Sequence, residues 1–139
     1  MRFLLDTCVI SEIARRRPSR KVTGWIKKED ENDFFISVLT IGELHKGIEK
    51  LAESRRKEEL HNCVENDLKE RFWNRIIDID LPVAMVWGRI QALAERTGSP
   101  MPAIDSLIAA TGLAHQLTVV TRNTSDMKTS GVALLDPWD

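Results

Sequence analysis

Short, mostly apolar runs rich in β-branched and aromatic residues recur along the chain, separated by longer stretches of helical periodicity. The runs that predict strands are Phe3–Leu5, Phe34–Val38, Arg75–Ile79, Leu117–Thr121 and Val132–Leu135. Strands that alternate with helices are typical of a parallel sheet covered by helices on both faces. We therefore predict an α/β fold with a central parallel sheet of four to five strands, in a single domain that spans residues 1–139.

The stretches between these runs carry apolar residues at steps of three and four, which is the spacing of one helix face. The predicted helices follow Asp6, cover Arg20–Lys28, begin at Thr40, continue around Leu60–Leu68, begin at Pro82 and cover Ala103–His115. The last of these is apolar around most of its circumference, so we predict that it is buried.

Composition places the chain among ordinary globular proteins. Of its 139 residues, 42% are hydrophobic and 29% are charged, which excludes an intrinsically disordered chain. No apolar run approaches the roughly 20 residues that cross a bilayer, and Asp6 interrupts the first run too early for a signal peptide. Cys8 and Cys63 lie 55 positions apart and form no disulfide framework. We expect a cytoplasmic protein with no membrane partner.

The charges of the chain nearly cancel. Twenty basic and 21 acidic side chains leave a net charge of −1, so the chain as a whole has no attraction for nucleic acid. The basic excess is local and consists of Arg15, Arg16, Arg17, Arg20 and Lys21. On sequence alone we interpret this cluster as a solvated helix end.

Four acidic residues fall where the strands of a parallel sheet would end. Asp6 follows the first strand, Glu43 lies within about two helical turns of the second, Asp105 opens the buried helix and Asp126 follows Leu117–Thr121. Ligands of open parallel sheets bind outside this edge. We therefore expect the four carboxylates to share one rim.

Each acid also has a plainer interpretation. Asp6 can cap the helix that follows it, Glu43 can face solvent, and Asp126 can belong to an ordinary turn. Asp105 is the informative member because its helix is mostly apolar. A carboxylate buried there needs a cation, hydrogen bonds or a raised pKa.

Carboxylates that converge repel one another, and no Lys or Arg is evidently dedicated to any of these four. A hard divalent cation with oxygen ligands, Mg²⁺ or Mn²⁺, would stabilise the group. Such a site on an α/β domain points to phosphoryl chemistry, in which the metal activates a water for attack on phosphorus.

Other catalytic motifs are absent from the sequence. It contains no P-loop, no GxGxxG after a strand and no GxSxG elbow. His45, His61 and His115 show no metal-ligand spacing, so we interpret them as residues of helix surfaces. Cys8 has no histidine nearby in the sequence, which favours packing over nucleophilic catalysis.

Four segments in this order resemble the signature segments of PIN-domain nucleases, and more narrowly the VapC-type toxins of the FitB-like branch. They are Leu4–Glu12 (LLDTCVISE), Ser37–Leu44 (SVLTIGEL), Asp105–Thr111 (DSLIAAT) and Val120–Asp126 (VTRNTSD). The resemblance covers essentially the whole chain. It implies a three-layer α/β/α fold and a Mg²⁺- or Mn²⁺-dependent endoribonuclease that leaves a 5′-phosphate and a 3′-hydroxyl.

The resemblance also implies roles for particular residues. Asp6, Glu43 and Asp105 correspond to the most regular acidic metal ligands of the family. Some relatives carry a fourth acid where this chain has Asn123, and others at the place of Asp126. Thr121 is expected to position the site by hydrogen bonding.

Partners follow from the same resemblance. VapC-type toxins usually form homodimers and are held inactive by a small VapB-type antitoxin, through which alone they meet DNA. For the RNA substrate, local basic residues must supply the attraction that the net charge does not. The candidates are Arg15, Arg16, Arg17, Lys46 and Arg122.

Two other classes of function remain open on the sequence. The acidic rim could serve a phosphohydrolase or a receiver-like domain, although Cys8 stands where an aspartyl-phosphate phosphatase has its second acid and no Lys follows Leu135. The chain could also be a catalytically decayed PIN module that acts only by binding a partner, although three intact acids argue against decay.

Overall fold

A five-stranded parallel sheet forms the centre of the computed structural model, which describes residues 1–139. Its strands are β1 (Phe3–Leu5), β2 (Phe34–Ser37), β3 (Ile76–Ile77), β4 (Thr118–Val120) and β5 (Leu134–Leu135). Their spatial order is β3-β2-β1-β4-β5, and every neighbouring pair is parallel. The predicted parallel sheet is confirmed, with β1 at its centre.

Eight α-helices surround the sheet. They are α1 (Thr7–Ile13), α2 (Arg20–Lys28), α3 (Val38–Glu49), α4 (Arg55–Asn62), α5 (Lys69–Arg71), α6 (Leu81–Thr97), α7 (Ala103–His115) and α8 (Thr124–Met127). A π-helical segment, Cys63–Leu68, joins α4 to α5. None of these helices combines the length and the apolarity that a membrane-spanning helix needs.

Local signals explain where several helices begin and end. The Ser37 hydroxyl accepts the N–H of Leu39 at 3.0 Å, so α3 begins at Val38 rather than at the predicted Thr40. Asp80 caps α6 in the same way, with Pro82 in the first turn. Gly98 ends α6 at φ +70°, a left-handed conformation that glycine adopts at little cost.

Strand β3 is shorter than the predicted Arg75–Ile79. It is an edge strand, and the guanidinium of Arg75 donates to the carbonyl oxygens of Phe34 and Arg71, at 2.8 and 2.6 Å. Asp78 and Ile79 are exposed beyond the sheet. Helix α8 was not predicted, because its four residues are too few to show a helical period.

Two apolar cores lie on opposite faces of the sheet, because successive side chains of a strand point to opposite sides. Leu4 of β1 packs with Ile90 of α6 and Ile108 of α7 on one face. Phe3 and Leu5 pack with residues of α1, α2 and the π-helical segment on the other. The molecule therefore has the expected three layers.

Candidate active site

The acidic residues lie at the edge of the sheet where the central strands end. Asp6 directly follows β1, and Thr121 directly follows β4. Only Gln116 and Leu117 separate the end of α7 from the start of β4. The first turn of α7, which contains Asp105, therefore lies near the edge of the sheet where β4 ends. The chain path therefore brings three distant segments to one edge.

Asp6 is held by hydrogen bonds on both carboxylate oxygens. Its Oδ1 accepts the backbone N–H of Thr7 at 2.8 Å, and its Oδ2 accepts the hydroxyl of Thr121 at 2.8 Å. Asp6 is only 5% exposed and Thr121 is fully buried. Thr121 also accepts the N–H of Asn123 at 3.0 Å, so one buried hydroxyl connects β1 to the loop after β4. The capping role considered for Asp6 exists alongside this network.

Thr7 connects Asp6 to Glu43. Its hydroxyl donates to Oε1 of Glu43 at 2.6 Å and lies 3.3 Å from the hydroxyl of the buried Thr40. The backbone of Thr7 binds one acid and its side chain binds another. Glu43 is partly buried and faces this network rather than bulk solvent.

The pKa of Asp105 reflects the charges of the other three acids. Burial raises the pKa of its carboxyl group, and the negative charges of Asp6, Asp126 and Glu43 raise this pKa further. None of the six ion pairs in the structure involves any of these four carboxylates. The edge of the sheet is thus a site of uncompensated negative charge made only of oxygen ligands, which suits a hard divalent cation.

Asn123 and Asp126, which are also predicted site residues, are exposed to solvent. Asn123 is exposed immediately before α8, and its side chain does not cap that helix. Asp126 is exposed within α8, and its charge reaches Asp105. An amide and a carboxylate therefore stand free at the open side of the acidic site.

The predicted RNA-binding residues are distributed unevenly around this site. Arg122 lies next to Thr121, with its guanidinium 5.1 Å from the centre of the Trp138 ring. Lys46 lines a surface cleft that also contains Glu43. Arg16 and Arg17 are exposed in the loop after α1, whereas Arg15 forms an ion pair with Glu12 at 3.3 Å.

Glu12 has a structural role that the sequence did not indicate. It is 6% exposed and accepts the N–H of Ser19 at 3.0 Å, a bond that lowers the pKa of its carboxyl group and fixes the loop between α1 and α2. The basic loop that carries Arg16 and Arg17 is therefore anchored at both ends.

Cys8 is part of the same buried network. Its sulfur accepts the N–H of Arg122 at 3.5 Å and lies 3.8 Å from Oδ2 of Asp6. Burial raises the pKa of the Cys8 thiol, and the charge of Asp6 raises it further, whereas the Arg122 N–H acts in the opposite direction. A protonated thiol fits the predicted packing role and not that of a nucleophile.

An apolar groove opens beside the acidic site. It has a volume of about 310 Å³ and is lined by residues of α1, α3, α4 and the π-helical segment, with Thr7 and Glu43 at its acidic side. Its apolar lining includes Ile10, Leu44 and Leu60. The groove can receive an apolar segment that lies next to the carboxylates.

Comparisons with known proteins place this geometry in a family. A family model described as PIN domain matches residues 3–129. The toxin FitB of Neisseria gonorrhoeae is 37% identical over 136 residues, which are 98% of either chain. A VapC ribonuclease named Y4jK, of Sinorhizobium fredii, is 30% identical over 99% of this chain and 98% of its own.

A solved structure agrees with the fold. The structure described as FitAB bound to the IR36 DNA fragment superposes with a TM-score of 0.93 at 35% identity, and covers 99% of this chain and 96% of its own. Coverage is nearly complete in both directions, and the four resembling segments all lie within the matched residues. The chain belongs to the PIN-domain family, in the branch that contains the toxin FitB.

Proposed function

We propose that the protein is a Mg²⁺- or Mn²⁺-dependent endoribonuclease and the toxin of a type II toxin–antitoxin pair, with residues 1–139 acting as one PIN domain in the cytoplasm. One observation carries the proposal: the negative charges of Asp6, Asp126 and Glu43 all act on the carboxyl group of Asp105, and no Lys or Arg pairs with any of the four. The name of the relative Y4jK as a ribonuclease supports the choice of RNA.

Asp6, Glu43 and Asp105 are the residues that would hold the metal. Their oxygens match the ligand preference of Mg²⁺ and Mn²⁺, and such an ion supplies positive charge at the scissile phosphate and lowers the pKa of water. Thr121 and Thr7 hold Asp6 and Glu43 in place through hydrogen bonds of 2.8 and 2.6 Å. Metal-ligating carboxylates are commonly oriented by outer hydrogen bonds of this kind.

Asn123 and Asp126 are assigned to the solvent side of the reaction. Their side chains are exposed next to the acidic group, where they can accept hydrogen bonds from a water that approaches a phosphate. Arg122, Lys46, Arg16 and Arg17 are the exposed cations placed to attract the RNA backbone. Arg15 is partly neutralised by Glu12 and is assigned a smaller share.

The partner of the toxin is proposed to be a small VapB-type antitoxin, and the active form a homodimer. The related FitAB structure is described as bound to DNA, which is consistent with DNA contact through the antitoxin. The apolar groove beside Thr7 and Glu43 has room for an apolar segment of the antitoxin. A basic residue at the end of that segment would meet the uncompensated carboxylates.

The test is cleavage of a mixed RNA pool by the purified protein in Mg²⁺ or Mn²⁺, with sequencing of the new ends. We expect fragments with a 5′-phosphate and a 3′-hydroxyl, and loss of cleavage in EDTA. Asp6→Asn should abolish cleavage while its circular dichroism spectrum stays native. Asp67→Asn makes the same chemical change at an exposed residue outside the site and serves as the matched control. If wild type and Asp6→Asn leave the same RNA pattern, the proposal fails.

A further inference from the structure

Two of the three histidines meet across the pair of helices α3 and α4. His45 and Glu49 lie one turn apart on α3, so their side chains share a face, with His45 Nε2 3.8 Å from Glu49 Oε1. His61 of α4 brings its ring centre to 5.9 Å from that of His45. One ligand atom from each of these three side chains lies within 4.8 Å of the other two.

From this arrangement we propose that His45, Glu49 and His61 form a second cation site, distinct from the acidic edge of the sheet, that binds a transition-metal ion of the zinc class. Two imidazoles and one carboxylate are a ligand set that Zn²⁺ accepts, with water in the remaining position. Bond lengths of about 2.0–2.2 Å place two tetrahedral zinc ligands roughly 3.4 Å apart. Side-chain rotation can bring the ligand atoms from their separations of up to 4.8 Å to this distance, because the side chains of His45 and Glu49 are 46% and 54% exposed.

The surrounding charge favours a cation. A polar cleft of about 440 Å³ is lined by Glu49, Glu53, Glu58, His61, Asn62 and Lys57. Three carboxylates thus face one ammonium group, and that ammonium already binds Glu53 at 2.9 Å and the Leu51 carbonyl at 3.1 Å. The cleft therefore has an excess of negative charge beside His61, whose side chain lines it.

The two sites select different metals. Imidazole nitrogen suits zinc and its neighbours, whereas Mg²⁺ prefers an octahedron of oxygens. The acidic edge offers only oxygen ligands, whereas the site of His45, Glu49 and His61 offers nitrogen from two of its three ligands. We therefore expect zinc to bind more tightly at the two histidines, although carboxylates of the acidic edge can also bind it.

An ion bound here would tie α3 to α4. Both helices also line the apolar groove, through Leu44 and Ile48 on α3 and Leu60 on α4. The ion would restrict the spacing of two walls of that groove without entering it. We therefore expect zinc to raise the midpoint of thermal unfolding, because it binds the folded arrangement and not the separated helices.

The experiment uses full-length protein without an affinity tag, and ZnCl₂ as the probe. Asp6→Asn/Asp105→Asn serves as the parent, because it removes two of the four carboxylates with which the acidic edge could compete for zinc. Titration against a chromophoric zinc chelator at pH 7.5 should give one ion per chain. His61→Asn or His45→Asn in this parent should weaken binding at least tenfold, because losing even an outer-shell partner of a metal ligand typically costs about 10–100-fold in affinity.

The third histidine supplies the matched control. His115 lies at the end of α7, outside this cleft, so His115→Gln in the same parent should keep the zinc affinity. The unfolding midpoint should rise with zinc in the parent and in His115→Gln, and not in His61→Asn. No zinc bound by a natively folded parent, or equal affinity after His61→Asn, would overturn the proposal. Because the parent lacks Asp6 and Asp105, on which the nuclease proposal depends, this result is independent of that proposal.

Discussion

Replacing Thr121 with valine removes its hydroxyl with almost no change of side-chain shape. The substitution therefore tests the hydrogen bond that this hydroxyl donates to Asp6. Thr121→Val loses the 2.8 Å bond to a buried carboxylate, and a hydrogen bond to a charged group contributes about 1.5–3 kcal/mol. The methyl group that replaces the fully buried hydroxyl returns about 0.8 kcal/mol. Asn123 is exposed, so water can satisfy its freed N–H. The free energy of unfolding of the metal-free protein should therefore fall by about 1–2 kcal/mol.

The same change should weaken metal binding, because Asp6 loses the partner that orients Oδ2. Loss of an outer-shell hydrogen bond of this kind typically costs 10–100-fold in affinity. Thr121→Ser is the matched control, because it keeps the hydroxyl and loses the methyl. Serine should lower stability by about 1 kcal/mol, as one buried methyl would, while metal affinity stays close to that of wild type.

Two measurements separate these effects. Urea unfolding in EDTA gives the free energy of unfolding, and calorimetric titration with Mn²⁺ gives the affinity. We expect Thr121→Val to lose Mn²⁺ affinity and Thr121→Ser to keep it, although both variants lose stability. Equal Mn²⁺ affinity in wild type and Thr121→Val would refute the role assigned to this hydroxyl.

Three further outcomes follow from the packing and charges of the site. In EDTA at pH 7, Asp105→Asn should unfold at a higher urea concentration than wild type, because the raised pKa of Asp105 makes its ionised form unfavourable in the folded state. This difference should vanish below about pH 4, where the carboxyl group of Asp105 is protonated in both the folded and the unfolded protein. Gly112→Ala should lower the free energy of unfolding in urea by about 1–2 kcal/mol, because its new Cβ would lie 2.7 Å from Val119 Cγ2. Gly88→Ala is its control in α6: the new Cβ meets open space, so the free energy of unfolding should rise by about 0.5–1 kcal/mol. Iodoacetamide at pH 7 should modify Cys8 in the folded protein far more slowly than in the urea-unfolded chain, because burial and the Asp6 charge raise the thiol pKa; equal rates by mass spectrometry would contradict this.

Helices whose ends carry local signals could be predicted closely from the sequence. The helix predicted at Arg20–Lys28 has those bounds, with Ser19 as its cap, and the buried helix Ala103–His115 also has its predicted bounds. Strand β3 could not be delimited, because the position of an edge strand depends on tertiary pairing with β2 rather than on its own residues. Helix and strand periods are local, whereas strand order is not.

The resemblance implied a hydrogen-bonding role for Thr121, but the partner in each contact of the candidate site could not be predicted, for the same physical cause. Residues at strand ends could be expected to share an edge, because parallel topology imposes it. The bond between Thr7 and Glu43 spans 36 positions, and that between Thr121 and Asp6 spans 115. His45 and His61, 16 positions apart, meet only because α4 folds back against α3. Spacing along the chain predicts ligands within one helix and does not predict ligands shared by two.

Helices α1 and α3 each contribute both to the acidic site and to the apolar groove. On α1, Thr7 binds the two acids while Ile10, one turn later, lines the groove. On α3, Glu43 accepts the Thr7 hydroxyl while its neighbour Leu44 faces the same groove. The 2.6 Å bond between Thr7 and Glu43 is a direct side-chain link between the two helices across this boundary. A molecule that fills the groove and separates α1 from α3 would therefore lengthen that bond and displace Glu43, which is one of the three proposed metal ligands.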